Sequence, residues 1–170
     1  MVIFPENEET NIGVHAILTT SDGKVILQQR DSNPNIVNPG KISMFGGTIK
    51  KTDSLKKALR RELLEELEFD LKNHPLSKLG TYEKKKQIDG IDYTIHVYVI
   101  KEVDLKKLKL HEGKDFVVGK AKEILKNPNL TRITRLALTD YPEKVSRVIL
   151  VRLGFFKISL AFPTTKSLPS

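Results

Sequence analysis

Residues 46–69 read GGTIKKTDSLKKALRRELLEELEF, and the rest of the chain is organised around this stretch. Leu55, Leu59, Leu63 and Leu67 recur at helical spacing, which predicts an amphipathic helix over Ser54–Leu67 capped by Asp53 or Ser54. At roughly 100° per residue the four leucines form a stripe about 120° wide, as an ordinary core-facing helix does. Glu62, Glu65 and Glu66 fall in a neighbouring sector, centred about 90° from the middle of that stripe, and Lys57 and Arg60 lie on the far side. A purely solvated charge face belongs opposite the apolar stripe. Three glutamates beside it are expected to meet at the rim of the core, where like charges raise one another's pKa unless a cation joins them. Hard divalent cations such as Mg²⁺ take carboxylate and carbonyl oxygens and keep waters that a phosphate can replace. The helix geometry alone leaves two readings open: a metal site, or an acidic run paired with Arg60 and Arg61 at helical spacing. Gly46-Gly47, just before the helix, favours the first, since a simple tight turn would explain the glycines but not their coupling to a capped helix with a carboxylate cluster. A backbone without Cβ can approach a ligand closely or offer a carbonyl to a metal.

Strand patterns flank this stretch. Asn11–Thr20 alternates and is rich in β-branched residues, and Lys24–Gln28 follows across Ser21-Asp22-Gly23, which predicts a hairpin. Asp31–Gly40, with its Asn, Pro and Gly, is a loop, and the apolar run Ile42–Phe45 leads into the glycines. Leu79–Lys84 and Ile91–Ile100 read as strands around a turn containing Asp89-Gly90. Ala121–Lys126 is expected to be helical, and Ile133–Leu138 to begin another helix. This order predicts a mixed sheet with helices packed on it, in the α+β or α/β/α range. Without an internal repeat or a low-complexity linker, one domain over residues 1–140 is expected, with 141–170 a C-terminal tail packed on it.

Composition bounds the chemistry. A chain of 170 residues is the size of one domain and can bury about 70% of its unfolded surface. The absence of cysteine rules out disulfides, thiolate nucleophiles, Cys-ligated zinc and iron–sulfur clusters. With 29 basic and 21 acidic residues the net charge is +8, which suits nucleic acid, an anionic membrane surface or a phosphorylated small molecule. The simpler reading of that charge is a solvated, lysine-rich face. The N-terminus lacks the order of a signal peptide. The apolar segment Val148–Phe162 is broken by Arg152 and Lys157 and is shorter than the ~18 residues of a spanning helix. No membrane span and a cytoplasmic location are therefore expected. No two histidines have metal-ligand spacing, and neither Gly-x-Ser-x-Gly nor a P-loop occurs.

The spacing Gly47, five residues, Asp53, seven residues, Arg61-Glu62-Leu63-Leu64-Glu65-Glu66, two residues, Phe69 resembles the box of the Nudix family. Asn38-Pro39-Gly40-Lys41 is similar to the segment ahead of that box. Two positions depart from the pattern. Asp53 stands where the family has Glu, which loosens its expected pairing with Arg61. Glu68 stands where the family has Gly, a residue suited to a left-handed helix end. The resemblance implies the Nudix α/β/α sandwich, a mixed curved sheet with helices on both sides. It implies a MutT-like pyrophosphohydrolase acting on acid anhydrides in nucleoside diphosphate-linked compounds, with Mg²⁺ or Mn²⁺ as cofactor. By the same resemblance Glu65, Glu66 and the Gly46 carbonyl are metal ligands, and Glu62 is a ligand or the base that positions water. Arg61 orients the carboxylates through Asp53, with Gly47 as structural support. An acid from outside the box is expected at Glu112, with Asp115 as alternative, and Arg30 and Lys41 flank the site as candidates for substrate phosphates.

The substrate expected first is a nucleoside triphosphate, oxidised ones included, cleaved to monophosphate and pyrophosphate. Lys84-Lys85-Lys86 stands where the ADP-ribose branch carries a proline, the chain has no tryptophan for the NADH branch's signature, and Tyr82 matches the dinucleotide branch only approximately. The alternatives are a nucleotide-sugar or dinucleotide pyrophosphatase, or a catalytically weak Nudix-fold module binding nucleotide. Such a module could also bind nucleic acid through Lys84–Lys86, Lys101 and Lys106–Lys109. A homodimer is the common expectation for a small enzyme.

Overall fold

The computed structural model describes residues 9–85 and 92–152. The predicted turn at Asp89-Gly90, the start of the strand predicted from Ile91, and the apolar segment past Arg152 lie outside the described residues, as do the side chains of Lys84–Lys86. In chain order the elements are β1 (Glu9–Thr19), β2 (Val25–Gln29), β3 (Ile42–Ser43), β4 (Phe45–Lys50), α1 (Leu55–Leu67), β5 (Leu76–Lys85), β6 (Asp92–Ile100), β7 (Asp115–Gly119), α2 (Ala121–Ile124) and α3 (Arg132–Arg152). Short 3-10 turns occupy Leu71–Asn73 and Leu105–Lys107.

β1 is the centre of the sheet. One of its edges pairs antiparallel with β4 (Val14 opposite Gly47, Ala16 opposite Phe45) and then, further along, antiparallel with β2 (Leu18 opposite Ile26). The other edge pairs parallel with β6, from Ile12 opposite Thr94 to Leu18 opposite Ile100. β5 lies antiparallel outside β6, and β7 and β3 both pair with β2. Sharing one edge of β1 between two strands curves the sheet, which stays open and mixed.

The period-2 alternation of β1 divides the core. Val14, Ala16 and Leu18 point to one face and pack with Phe45, Ile26, Ile49, Leu59, Leu63 and Leu67 beneath α1. Ile17 points to the other face and joins Val25, Leu27, Val97, Val99, Ile133, Ala137 and Leu138 beneath α2 and α3. Helices thus cover both faces. Leu59, Leu63 and Leu67 are fully buried, each contributing roughly 1.5–3 kcal/mol by removal from water.

Two features of the sheet lie outside the sequence reading. Gly46-Gly47 does not form a turn before the helix; both residues lie inside β4, paired with His15 and Val14 of β1. The glycines are needed there because β4 runs too close to its neighbours for side chains. A Cβ on Gly46, whose φ is +123°, would collide with the Val14 carbonyl, and one on Gly47 would sit 2.5 Å from a Glu62 carboxylate oxygen. The second is β7, a strand to which the sequence reading assigned no element. Its five residues are held by antiparallel pairing to β2, a constraint far away in sequence.

Candidate active site

α1 begins at Ser54, whose hydroxyl accepts the Lys57 N–H at 3.2 Å. It ends at Glu68, which adopts the left-handed conformation with φ 52° and ψ 27°. With three leucines anchored in the core, the next sector of the helix faces β4, and there the acidic side chains separate. Glu66 is drawn inward to 4% exposure. Its Oε2 accepts the Gly46 N–H at 2.9 Å. Glu62 is half-buried against Gly47, with Oε1 accepting from Arg61 Nη1 at 2.6 Å. Glu65 remains exposed and, among the described residues, meets the Arg61 guanidinium at 3.5 Å. The structure therefore brings Glu62 and Glu66 together at the rim of the core and leaves Glu65 facing solvent beside them.

Electrostatics sharpens the difference. Burial pushes the Glu66 carboxyl up from 4.5 to about 8, opposed by the Gly46 amide and reinforced by the charges of Glu62 and Glu112. Burial also raises Glu62, with Arg61 pulling the other way and Glu65 and Glu112 adding to the rise. Glu112 thus lies close enough to act on both helix carboxylates, although it is 46 residues away from Glu66 in sequence. Its backbone carbonyl accepts Gln28 Nε2 at 2.9 Å. Asp115, the alternative, opens β7 with Oδ1 accepting its neighbour's N–H from Phe116, and Glu112 is the acid coupled to the cluster.

Arg61 is the organising cation. Besides Glu62 and Glu65, it donates through Nη2 to the Thr48 carbonyl at 3.3 Å, tying α1 to β4. Burial works against its charge, but Glu62, Glu65 and Asp53 together hold its pKa above the ordinary value. The expected link to Asp53 is long: Arg61 Nε and Asp53 Oδ2 are 3.6 Å apart, and this buried Nε lacks a hydrogen-bond partner. Asp53 instead binds Lys57 Nζ at 2.9 Å, and this pairing lowers its pKa. One methylene explains the geometry, because an aspartate at this position stops short of the guanidinium.

Arg30 is half-buried, and its charge acts favourably on ionised Glu66. Its backbone N–H donates to the carbonyl of Lys41, which is itself exposed. Sequence reasoning missed three supporting groups: Gln28 and Asp31, which hold the loop carrying Glu112, and Thr48 under Arg61. A glutamine continuing the apolar run Val25-Ile26-Leu27 was the readable signal for Gln28; Asp31 carried none.

The donor set fits a hard divalent cation. Among the described residues no three or more Asp, Glu or His side chains are grouped closely enough to hold a metal ion by themselves. What the site offers is an open set of carboxylates, one of them buried and without a charged hydrogen-bond partner. That suits an ion which keeps several waters and takes one or two carboxylates plus substrate phosphate oxygens.

The comparisons agree with this geometry. The family model for the NUDIX domain matches residues 9–125. A search of curated proteins finds no significant match. Among solved structures, the chain is similar to a MutT protein from Methanosarcina mazei Go1 (TM-score 0.64, 20% identity, 79% of this chain and 94% of that one). It is also similar to the Escherichia coli dihydroneopterin triphosphate pyrophosphohydrolase (0.63, 14%, 78% and 94%). A third is the NUDIX domain of Shewanella oneidensis NrtR, solved with ADP-ribose (0.63, 20%, 79% and 87%). At these identities the likeness is one of fold. Among the described residues no helix is long and apolar enough to cross a membrane.

Proposed function

The chain belongs to the NUDIX family, as a pyrophosphohydrolase acting on acid anhydrides of nucleotide-linked compounds, and from that premise we propose that it cleaves a nucleoside triphosphate to monophosphate and pyrophosphate with Mg²⁺ or Mn²⁺. The observation that carries the proposal is Glu66: a carboxylate buried to 4% exposure, fixed by the Gly46 amide and pressed by Glu62 and Glu112. An acid held in that state is poorly suited to a solubility role and well suited to a divalent cation.

In this reading Glu62, Glu65, Glu66 and Glu112 hold the ion, together with the backbone at Gly46. A bound Mg²⁺ supplies charge neutralisation for the diphosphate and orients an attacking water in line with the P–O bond that breaks. The Gly46 N–H fixes one oxygen of Glu66, and Arg61 fixes Glu62 through Oε1 and braces Glu65. Glu62, raised by its burial, is the member of this set with the second role to offer: where it does not ligate the ion, it is the base for the attacking water. Arg30 and Lys41 offer positive charge to the outer phosphates. The proposal takes residues 1–140 as the catalytic domain, 141–170 as a tail, and the cytoplasm as its setting.

The test is a panel of nucleoside triphosphates (oxidised bases included), nucleotide sugars and dinucleotides, assayed with Mg²⁺ and with excess EDTA. Monophosphate and pyrophosphate from a triphosphate, abolished by EDTA, support the reading. Turnover confined to sugars or dinucleotides moves the substrate class, and turnover that survives EDTA removes the metal.

A further inference from the structure

We infer that Glu68 is a positioning residue: its carboxylate clamps Lys109 and His111 against the end of α1 and thereby holds Glu112 beside Glu62 and Glu66. The inference rests on the assignment of Glu112 to the site made above.

The last carbonyls of a helix have no partners within it. Here the segment leading to Glu112 supplies them. The Lys109 N–H donates to the Leu67 carbonyl at 3.1 Å, and the His111 N–H donates to the Glu66 carbonyl at 2.9 Å. Glu68 adds a second layer on the same segment. Its Oε2 lies 2.7 Å from Lys109 Nζ and its Oε1 lies 2.8 Å from His111 Nε2. One carboxylate therefore grips the first and last residues of a three-residue span, using both oxygens.

The position itself is unfavourable for glutamate. At φ 52° the backbone is in the left-handed region, where glycine is free of the Cβ penalty that any other residue carries. A glycine would end the helix more easily but would grip nothing. The chain continues at once to Glu112, and here the far side is tethered too. Gln28 Nε2 donates to the Glu112 carbonyl, the Gly113 N–H donates to Asp31 Oδ2 at 3.1 Å, and the Lys114 N–H donates to the Gln29 carbonyl at 2.7 Å. Glu112 is thus strung between two anchors, β2 with its following loop on one side and the end of α1 on the other. Glu68 tightens the second. Exposed ion pairs add little to global stability, so the effect falls on where Glu112 sits rather than on whether the protein folds.

Three variants separate the possibilities: Glu68→Gly, which suits the backbone and removes the clamp; Glu68→Gln, which keeps acceptor oxygen; and Glu112→Gln. Each is measured by thermal midpoint, by amide hydrogen exchange over residues 109–114, by Mn²⁺ affinity without substrate using electron paramagnetic resonance, and by kcat and KM. For Glu68→Gly the clamp predicts a midpoint unchanged within about 2 °C, exchange at His111 and Lys114 faster by about tenfold, and Mn²⁺ affinity weaker by up to about tenfold, as for loss of an outer-shell partner. Glu68→Gln recovers most of the affinity, and combining Glu68→Gly with Glu112→Gln adds nothing to the latter. If Glu112→Gln weakens Mn²⁺ binding while Glu68→Gly changes neither exchange nor affinity, the clamp is overturned and the proposed function stands. A loss from Glu68→Gly that adds to that of Glu112→Gln also overturns it. If Glu112→Gln leaves affinity and kcat untouched, the assignment of Glu112 fails, and the clamp's role goes with it.

Discussion

Glu66→Gln should make the metal-free protein more stable at alkaline pH while leaving it nearly unchanged in acid. In the folded protein the Glu66 carboxyl titrates near 8, raised from 4.5 mainly by burial. Between those values the folded state holds a proton that the unfolded chain has released. Stability is therefore fully supported below about pH 4.5 and is lost progressively as pH rises towards 8. At about 1.4 kcal/mol per pH unit the span is worth about 5 kcal/mol, an upper bound. Water entry and relaxation around a buried carboxylate bring the expected effect to about 2–4 kcal/mol. For a chain of this length that is about 5–15 °C in the thermal midpoint. Glutamine has no charge to desolvate and keeps an oxygen for the Gly46 N–H. The assay is thermal or urea unfolding in EDTA from pH 5 to 9 for both proteins. The wild-type curve should fall towards alkaline pH and the variant curve should stay flatter, the two meeting near pH 5. Mg²⁺ at pH 8 should restore the wild type through binding to the folded state and do little for the variant. Parallel curves across the range would refute the reasoning, because they would mean that Glu66 carries no unfavourable buried charge.

Other substitutions follow from contacts along β4 and α1. Gly46→Ala places a Cβ against the Val14 carbonyl at φ +123° and should destabilise by about 3 kcal/mol or more, read by urea unfolding. Gly47→Ala meets first the movable end of Glu62, so the fold should survive while Mn²⁺ affinity and kcat fall, seen by comparing circular dichroism with turnover. Asp53→Glu extends the carboxylate towards the unpartnered Arg61 Nε and should raise stability by about 1 kcal/mol, a gain that unfolding midpoints would register. Ser54→Ala removes the hydroxyl that accepts the Lys57 N–H and should cost about 1 kcal/mol with kcat unaltered.

What the sequence disclosed was whatever repeats locally. The leucine spacing and cap of α1 are visible because each turn of helix reports its own environment, and Leu59, Leu63 and Leu67 do reach full burial. The alternation of β1 is equally plain. The parallel pairing of β1 with β6 is not, since it joins Ile12 to Thr94 across a crossover that leaves no local mark. β4 was not legible because two glycines suit a turn as well as a strand, and here they permit close approach between a strand, its neighbour and Glu62. Within the site, helical geometry set Glu62, Glu65 and Glu66 on one sector but could not say that Glu66 would be buried and Glu65 exposed. That depends on the Gly46 N–H arriving from another element. Glu68 was legible as a departure at a helix end; its partners Lys109 and His111 were not, because nothing periodic connects residues some forty positions apart.

The account turns on Glu66 as the acid that holds the ion at the site of cleavage. The most direct measurement is kcat of Glu66→Gln against wild type on the best substrate of the panel, at saturating Mg²⁺ and with matched circular dichroism. A loss of about 100-fold or more, the scale expected when one preorganised charge is removed from a reaction centre, is the predicted result. Turnover within a few-fold of wild type by a folded variant would contradict it.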